Sequence, residues 1–499
     1  MSIWEKQFSV LVTCLSMALL VLAALGPATA SAAESDPSPG SIDDYVRDQI
    51  ERAGVPGAAY AVVGPDGIEH QGTLGEDGDG AAVTASTPFL WGSVSKPVTA
   101  TLAVRLAGDG TLGLDARVGD LVPSYEMVTV RQLLDHTSGL PEGLELTDRY
   151  DDGRDIASVV DQVDDLDPLA APGAEHSYSS LNYIVLAAMI ERATGRPFAD
   201  VLRERLLEPA GMSSVRADAG AAEEALPPGH RYVAGRAAPF DSRIDPATIP
   251  AGYLVGTLDD LAAFARIQLD GASGPLDDDD RALLHTSAVD TGDDAGYGLG
   301  WRTWQLPGTD EPMTWHGGAA PGYQSSILLL PERNLAVVVL QNAYGPFQES
   351  RLLDTAWGIA AIEIGAEPPS NGVDPTYPAA LIALSLLVIV LAALAVWTLL
   401  RCIRPSRRPR TLRRRILGLV AWLVPLALLG AGLLLLPGFA GVTLGQLVLW
   451  APDLAWLVQA GLALIALLAV LRAMVTLRSR GVAPSGASPT PLREPATVG

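Results

Sequence analysis

The sequence predicts an α+β fold: an antiparallel sheet flanked by helices, with an all-helical subdomain beside it, followed by three transmembrane helices. Three observations carry this expectation. Strand-length apolar runs cluster at two distant places, 58–74 and 296–341. Helix-period segments fill the interval between them and close the second cluster. From Pro378 onward, three runs are long and apolar enough to cross a bilayer.

Taken in order, residues 1–32 read as a signal peptide. Lys6 precedes an apolar run from Phe8 to Leu25, and the small residues Ala28 to Ala32 offer cleavage sites. An uncleaved anchor is the alternative. Residues 33–40 form a polar linker. Ser41 caps a helix reaching about Gly54, with Asp43 and Asp44 in its first turn. Ala58–Val63 and Ile68–Leu74 are strands around the Pro65-Asp66-Gly67 turn, a hairpin. Gly75 to Ala82 is an acidic surface loop. Thr129 caps a short helix that Gly139 and Pro141 end. Helices follow at Leu181–Gly195, Phe198–Leu207 and Thr257–Leu269, and Asp277 to Asp280 reads as a solvated acidic turn. Strands are expected at Gly296–Trp301, Met313–Trp315, Gln324–Leu330 and Leu335–Gln341, the last two joined through Pro331-Glu332-Arg333-Asn334. Ser350–Ile364 is a closing helix. The domain therefore runs over 41–366, and 367–377 is a Pro-containing linker.

The stretch that carries chemistry is Phe89 to Pro97. A strand-like run ends at Gly92, and an amphipathic segment, Ser93 to Leu106, reads as a helix. Ser93 then sits at a helix N-terminus, where free N–H groups favour negative charge. Lys96 lies one turn along on the same face. A serine hydroxyl is a weak nucleophile until a base takes its proton, and a desolvated lysine can be that base. The chain has 32 arginines but only two lysines, Lys6 and Lys96. Arginine supplies surface charge yet cannot deprotonate. A lysine is thus kept where a titratable amine is needed. A surface lysine beside a capping serine is the plainer reading of the motif in isolation.

Two further stretches join it. Tyr178, in His176-Ser177-Tyr178-Ser179-Ser180, lies on a loop at the start of a strong helix and can serve as a proton shuttle if cationic Lys96 is close. His316-Gly317-Gly318-Ala319-Ala320 offers consecutive small residues where a substrate approaches the backbone and N–H groups can hold an oxyanion. His136 reads as a structural histidine bonded to backbone in the loop that follows it.

Composition excludes several classes. Residues 1–377 carry 55 acidic and 22 basic residues, whereas residues 378–499 carry 2 and 12. So acidic a large domain does not suit nucleic acid. Either adaptation to high salt or codon bias accounts for the acidity. The two cysteines, Cys14 and Cys402, lie in or beside apolar runs and give the large domain no disulfide framework. No His or Cys cluster has metal-ligand spacing, so neither metal nor cofactor is expected.

In this order, Ser-x-x-Lys at 93–96, Tyr178 before a helix and His-Gly-Gly at 316–318 resemble the serine beta-lactamase and penicillin-binding protein superfamily. The resemblance is to its class C, D-alanyl-D-alanine carboxypeptidase and esterase side. Leu133 to Pro141, Ala251 to Thr257 and Gly296 to Trp301 support it, and it covers about 41–366. It implies a beta-lactamase/transpeptidase-like fold and a peptidase, amidase or esterase working through an acyl-enzyme. Ser93 would be the acylated nucleophile, Lys96 its proton partner and Tyr178 the shared base and acid. The N–H groups of Ser93 and Ala319 would form the oxyanion hole. Ser180, His316, Gly317 and Gly318 would line the substrate. Two departures stand out: the family's Tyr-x-Asn is Tyr178-Ser179-Ser180, and its Lys-Thr-Gly is His316-Gly317-Gly318. An amide becomes a hydroxyl, and a permanent cation becomes an imidazole.

The membrane domain, 378–477, is expected to hold helices at 378–400, 416–436 and 454–471. The segment 401–415 carries eight arginines. The positive-inside rule puts that loop and the 478–499 tail in the cytoplasm and the catalytic domain outside. The expected partners are a small-molecule or peptide substrate and the membrane. A catalytically weak sensor signalling through the helices is the competing class.

Overall fold

The computed structural model describes residues 41–150, 153–286, 289–372, 374–403, 411–439 and 442–478. The proposed signal peptide and C-terminal tail lie outside the described residues. The chain separates into two compact units.

The first unit is built on an eight-stranded, wholly antiparallel sheet. Its strands are β1 (Gly57–Gly64), β2 (Gly67–Gly75), β3 (Val289–Gly292), β4 (Ala295–Tyr297), β5 (Arg302–Gln305), β6 (Pro312–Ala320), β7 (Tyr323–Leu330) and β8 (Leu335–Gln341). In space they run β2-β1-β8-β7-β6-β5-β4-β3. The N-terminal hairpin thus joins the C-terminal strands in one sheet, with Ala58 opposite Gln341 and Val63 opposite Ala336.

Strand β1 is buried along its whole length because both faces are covered. Tyr60 and Val62 pack with α1 (Ile42–Ala53) and the C-terminal helix Glu349–Glu363. Ala59, Ala61 and Val63 face the large core under the helical region. That core is centred on α2 (Ser95–Gly108) and α3 (Leu181–Thr194), most of whose residues are buried.

Several expectations shift. The Gly296–Trp301 strand breaks into β4 and β5, because Gly300 turns the chain at φ +84 between them. Asp277 to Asp280 is solvated, with its first three residues exposed, but opens a helix rather than making a turn: Asp277 accepts from the Asp280 N–H and caps the helix Asp278–His285, where acidic side chains meet free N–H groups. The short helix capped by Thr129 ends at Leu134, ahead of Gly139. The strand expected at Met313–Trp315 runs on to Ala320, so His316 to Ala320 are strand residues.

The second unit contains Thr376–Ile403, Leu412–Phe439 and Pro452–Arg478, three helices long and apolar enough to cross a membrane. Each overruns the expected span by two to seven residues at its ends, and the stretch before Asp453 includes a short helix, Leu444–Trp450. Pro425 and Pro437 lie inside the second helix.

One buried ion pair anchors a segment that matters below. Arg154 Nε lies 3.0 Å from Asp245 Oδ1, with the side chains 5% and 0% exposed. Asp245 also accepts from the N–H groups of Arg149 and Ala247 and from the Thr248 hydroxyl. Asp245→Ala strands Arg154 and empties these bonds, so we expect it to cost about 3–5 kcal/mol. Urea unfolding checks this; a loss below about 1 kcal/mol would show that the pair is not anchoring the segment.

Candidate active site

Ser93 occupies a single 3-10 turn, Gly92–Val94, immediately before α2. This turn is fixed by close packing. Gly92 has φ +52, and a Cβ there would stand 2.6 Å from the Ala319 nitrogen. A Cβ on Gly318 would stand 2.1 Å from the Trp91 carbonyl oxygen. Only glycine permits both approaches. Ser325 Oγ, one strand further, donates to the Trp91 carbonyl at 2.5 Å and ties the turn to the sheet. Strand β6 pairs with β7 along 314–320 but with β5 only through Trp315. Its edge from His316 to Ala320 is therefore free of a strand partner and lies beside the Ser93 turn. An extended substrate can add to that edge with its carbonyl at Ser93.

Lys96 is wholly buried. Its Nζ lies 3.1 Å from Ser93 Oγ and 3.2 Å from Ser180 Oγ, and donates to the Ala251 carbonyl at 2.7 Å. Ala251 belongs to the segment that Asp245 anchors. Tyr178 completes the cluster: its hydroxyl hydrogen-bonds with Ser93 and Lys96, and Nζ stands 4.9 Å from the ring centroid. Burial pushes the Lys96 amine below its usual value, although Tyr178 pulls the other way. Burial alone would raise Tyr178, but Lys96, Arg302 and the bonds to Ser93 and Lys96 outweigh it and hold the phenol below its usual value. Both directions favour a group free to accept a proton from Ser93.

Ser180 thus faces the lysine rather than standing apart from it. His316 is 1% exposed, and both ring nitrogens are engaged. Nδ1 lies 2.8 Å from the Gly317 carbonyl, to which it can only donate, so Nε2 accepts from Tyr297 Oη at 3.1 Å. Burial, then Arg302 and Lys96, hold it well below the usual imidazole value. It is a neutral ring here, not a cation.

His136 is bonded to backbone, but not in the loop that follows it. Its Nδ1 accepts from the Ser179 N–H at 3.2 Å and lies 2.9 Å from Asn182 Nδ2. Its ring stands 4.4 Å from that of Tyr178. It therefore braces the Tyr178 loop from 42 residues away in sequence.

Arg302 is the residue that sequence reasoning missed. It is half-buried on β5, opposite Tyr297. Its guanidinium lies 5.0 Å from the Tyr178 ring, 5.7 Å from Tyr297 and 5.8 Å from Trp315. Among the described residues no carboxylate pairs with it. Nothing in the local sequence singles out this arginine; only the β4–β5 register puts it beside Tyr178.

A sheet of this topology, with a buried Ser-Lys-Tyr cluster beside an open strand edge, defines a serine hydrolase of the acyl-transfer type. The Beta-lactamase family model matches residues 42–361, and the chain belongs to that family. It is 33% identical over 320 residues to Penicillin-binding protein 4 of Amycolatopsis lactamdurans, covering 58% of this chain and 81% of that protein. Among solved structures, the D-alanine carboxypeptidase AmpC from Burkholderia cenocepacia aligns with TM-score 0.54 at 22% identity, over 64% of this chain and 99% of that one. A D-stereospecific amidohydrolase from Streptomyces sp. aligns with TM-score 0.53 at 22% identity, over 62% and 97%. These two likenesses are of fold.

The burial of Lys96 sets a pH expectation. Turnover requires its neutral amine, so kcat/KM should rise with pH along a limb below the ordinary lysine range near 10.4. Lys96→Arg should lose at least about 10³-fold, because guanidinium cannot accept the proton. A pH–rate profile of both proteins checks this; retained turnover in the arginine variant would contradict it.

Proposed function

We propose that this chain is a membrane-anchored, extracytoplasmic serine hydrolase for acyl donors whose leaving group bears a carboxylate. This class includes peptides of the D-alanine carboxypeptidase type and beta-lactams. In this reading the Lys96–Tyr178 pair takes the Ser93 proton as Oγ attacks the carbonyl carbon. The N–H groups of Ser93 and Ala319 hold the oxyanion. The pair then returns the proton to the departing nitrogen. The resulting acyl-enzyme is hydrolysed when water gives a proton to the same pair and attacks the acyl carbon; the carbon–Oγ bond then breaks and the pair returns that proton to Ser93 Oγ.

The single observation that carries the substrate class is Arg302. Neutral His316 cannot hold a carboxylate, whereas a half-buried guanidinium 5.0 Å from the Tyr178 ring can. The name of the Amycolatopsis relative supports penicillin recognition. The positive-inside rule supports the orientation: the loop with eight arginines lies in the cytoplasm and the catalytic unit, attached before the first span, lies outside.

Ester hydrolysis is the second reading. It is favoured by Ser180, whose hydroxyl stands where an amide would otherwise grip a substrate amide, leaving the site less selective for peptides.

A matched panel separates the two: an acyl-D-alanyl-D-alanine with a free carboxylate, its C-terminal amide, and a short ester. The wild type should prefer the free acid. Arg302→Gln should reduce kcat/KM for it about 10²-fold more than for the amide and the ester, the loss of one charge-assisted contact, on top of a smaller loss common to all three from the field Arg302 lends Tyr178. Equal wild-type rates on acid and amide would overturn the carboxylate reading, and turnover of the ester alone would favour the second.

A further inference from the structure

We propose that the three-helix membrane unit holds a binding site for a phosphate-class anion, centred on Arg472 and suited to a lipid head group. Arg472 lies six residues before the end of the helix Pro452–Arg478, about 9 Å along the axis. It is only 7% exposed. Its guanidinium carbon stands 3.3 Å from the Trp422 ring centroid and 4.8 Å from that of Trp397, so an indole of each neighbouring helix covers it. The Arg401 guanidinium packs on Trp397 as well, at 3.9 Å.

Indole faces attract the cation, but they leave its in-plane N–H groups unused. Nε and Nη2 of Arg472 are buried with no hydrogen-bond partner among the described residues. Other arginines at this end are engaged. Arg415 donates to the Thr476 carbonyl at 3.0 Å, and Arg478 donates to the Cys402 carbonyl at 3.0 Å. A buried cation with idle donors is costly in an apolar surrounding and calls for an anion.

The chain has little to offer as that anion. From residue 378 onward it contains two acidic residues, Asp453 and Glu494. Asp453 starts the same helix, 19 residues away and about 28 Å along the axis. Glu494 lies outside the described residues. A planar fork with adjacent free N–H groups matches phosphate oxygens in two-point contact. Membrane phospholipid supplies such a group at the arginine-bearing ends of helices, and free phosphate has the same chemistry.

Full-length protein in neutral detergent, examined by native mass spectrometry, tests the proposal. Phosphatidylglycerol should bind at least tenfold more tightly than phosphatidylcholine. Arg472→Gln should abolish that preference, whereas Arg413→Gln, at an exposed position of the same end, should retain it. Displacement by millimolar inorganic phosphate would assign the site to a soluble anion, and resistance to displacement to lipid. Glu494→Gln should leave binding unchanged; tighter lipid binding in that variant would mean that the chain fills its own site, and would overturn the proposal. So would a wild type without preference, or an unaltered Arg472→Gln. Where the glutamine variant fails to insert, Arg472→Lys, which keeps charge but loses the fork, should bind at least fivefold more weakly, and unchanged binding would again overturn the proposal.

Discussion

Lys96 has no exposure to water, and the architecture around Ser93 keeps it so. An ammonium buried this completely costs several kcal/mol, and losing the proton relieves that cost. The relief is useful because the amine then has a lone pair directed at Ser93. Each support of the site acts on this lysine or its partner. The Asp245-anchored segment brings the Ala251 carbonyl to Nζ. His136 braces the loop that carries Tyr178. Gly92 and Gly318 let the nucleophile turn and β6 meet at backbone distance.

Local chemistry was legible in the sequence where a residue type has one use. One of only two lysines in an arginine-rich chain, a hairpin turn at Pro65-Asp66-Gly67 and a Thr129 cap all follow from side-chain properties. The sheet was legible as a class, because both strand clusters have strand-length apolar runs. Its closure, with Ala58 opposite Gln341, depends on contacts 283 residues apart that no local pattern encodes. The same holds for Arg302, which becomes part of the site only through its register with Tyr297. His136 shows the limit from the other side: its bonding type follows from its chemistry, but its partner, Ser179, depends on how two loops meet. The acidic run at 277–280 is solvated as its composition suggests, yet it also opens a helix, because carboxylates satisfy a helix N-terminus while facing solvent.

Charge is divided between the two units in a way that fits their surroundings. The acidic first part carries a half-buried cation, Arg302, whose field acts on Tyr178 across a few ångströms. The second part is nearly free of acids, so its arginines must find carbonyls, aromatic faces or outside anions.

The claim on which the account rests is that Ser93 becomes covalently acylated. The direct measurement is the intact mass of the full-length protein after brief exposure to a penicillin and acid quench, followed by peptide mapping, beside Ser93→Ala. The account predicts a mass increase of one drug molecule, mapped to the peptide bearing Ser93 and missing from the alanine variant. An adduct on another residue, or one that persists in Ser93→Ala, would contradict it.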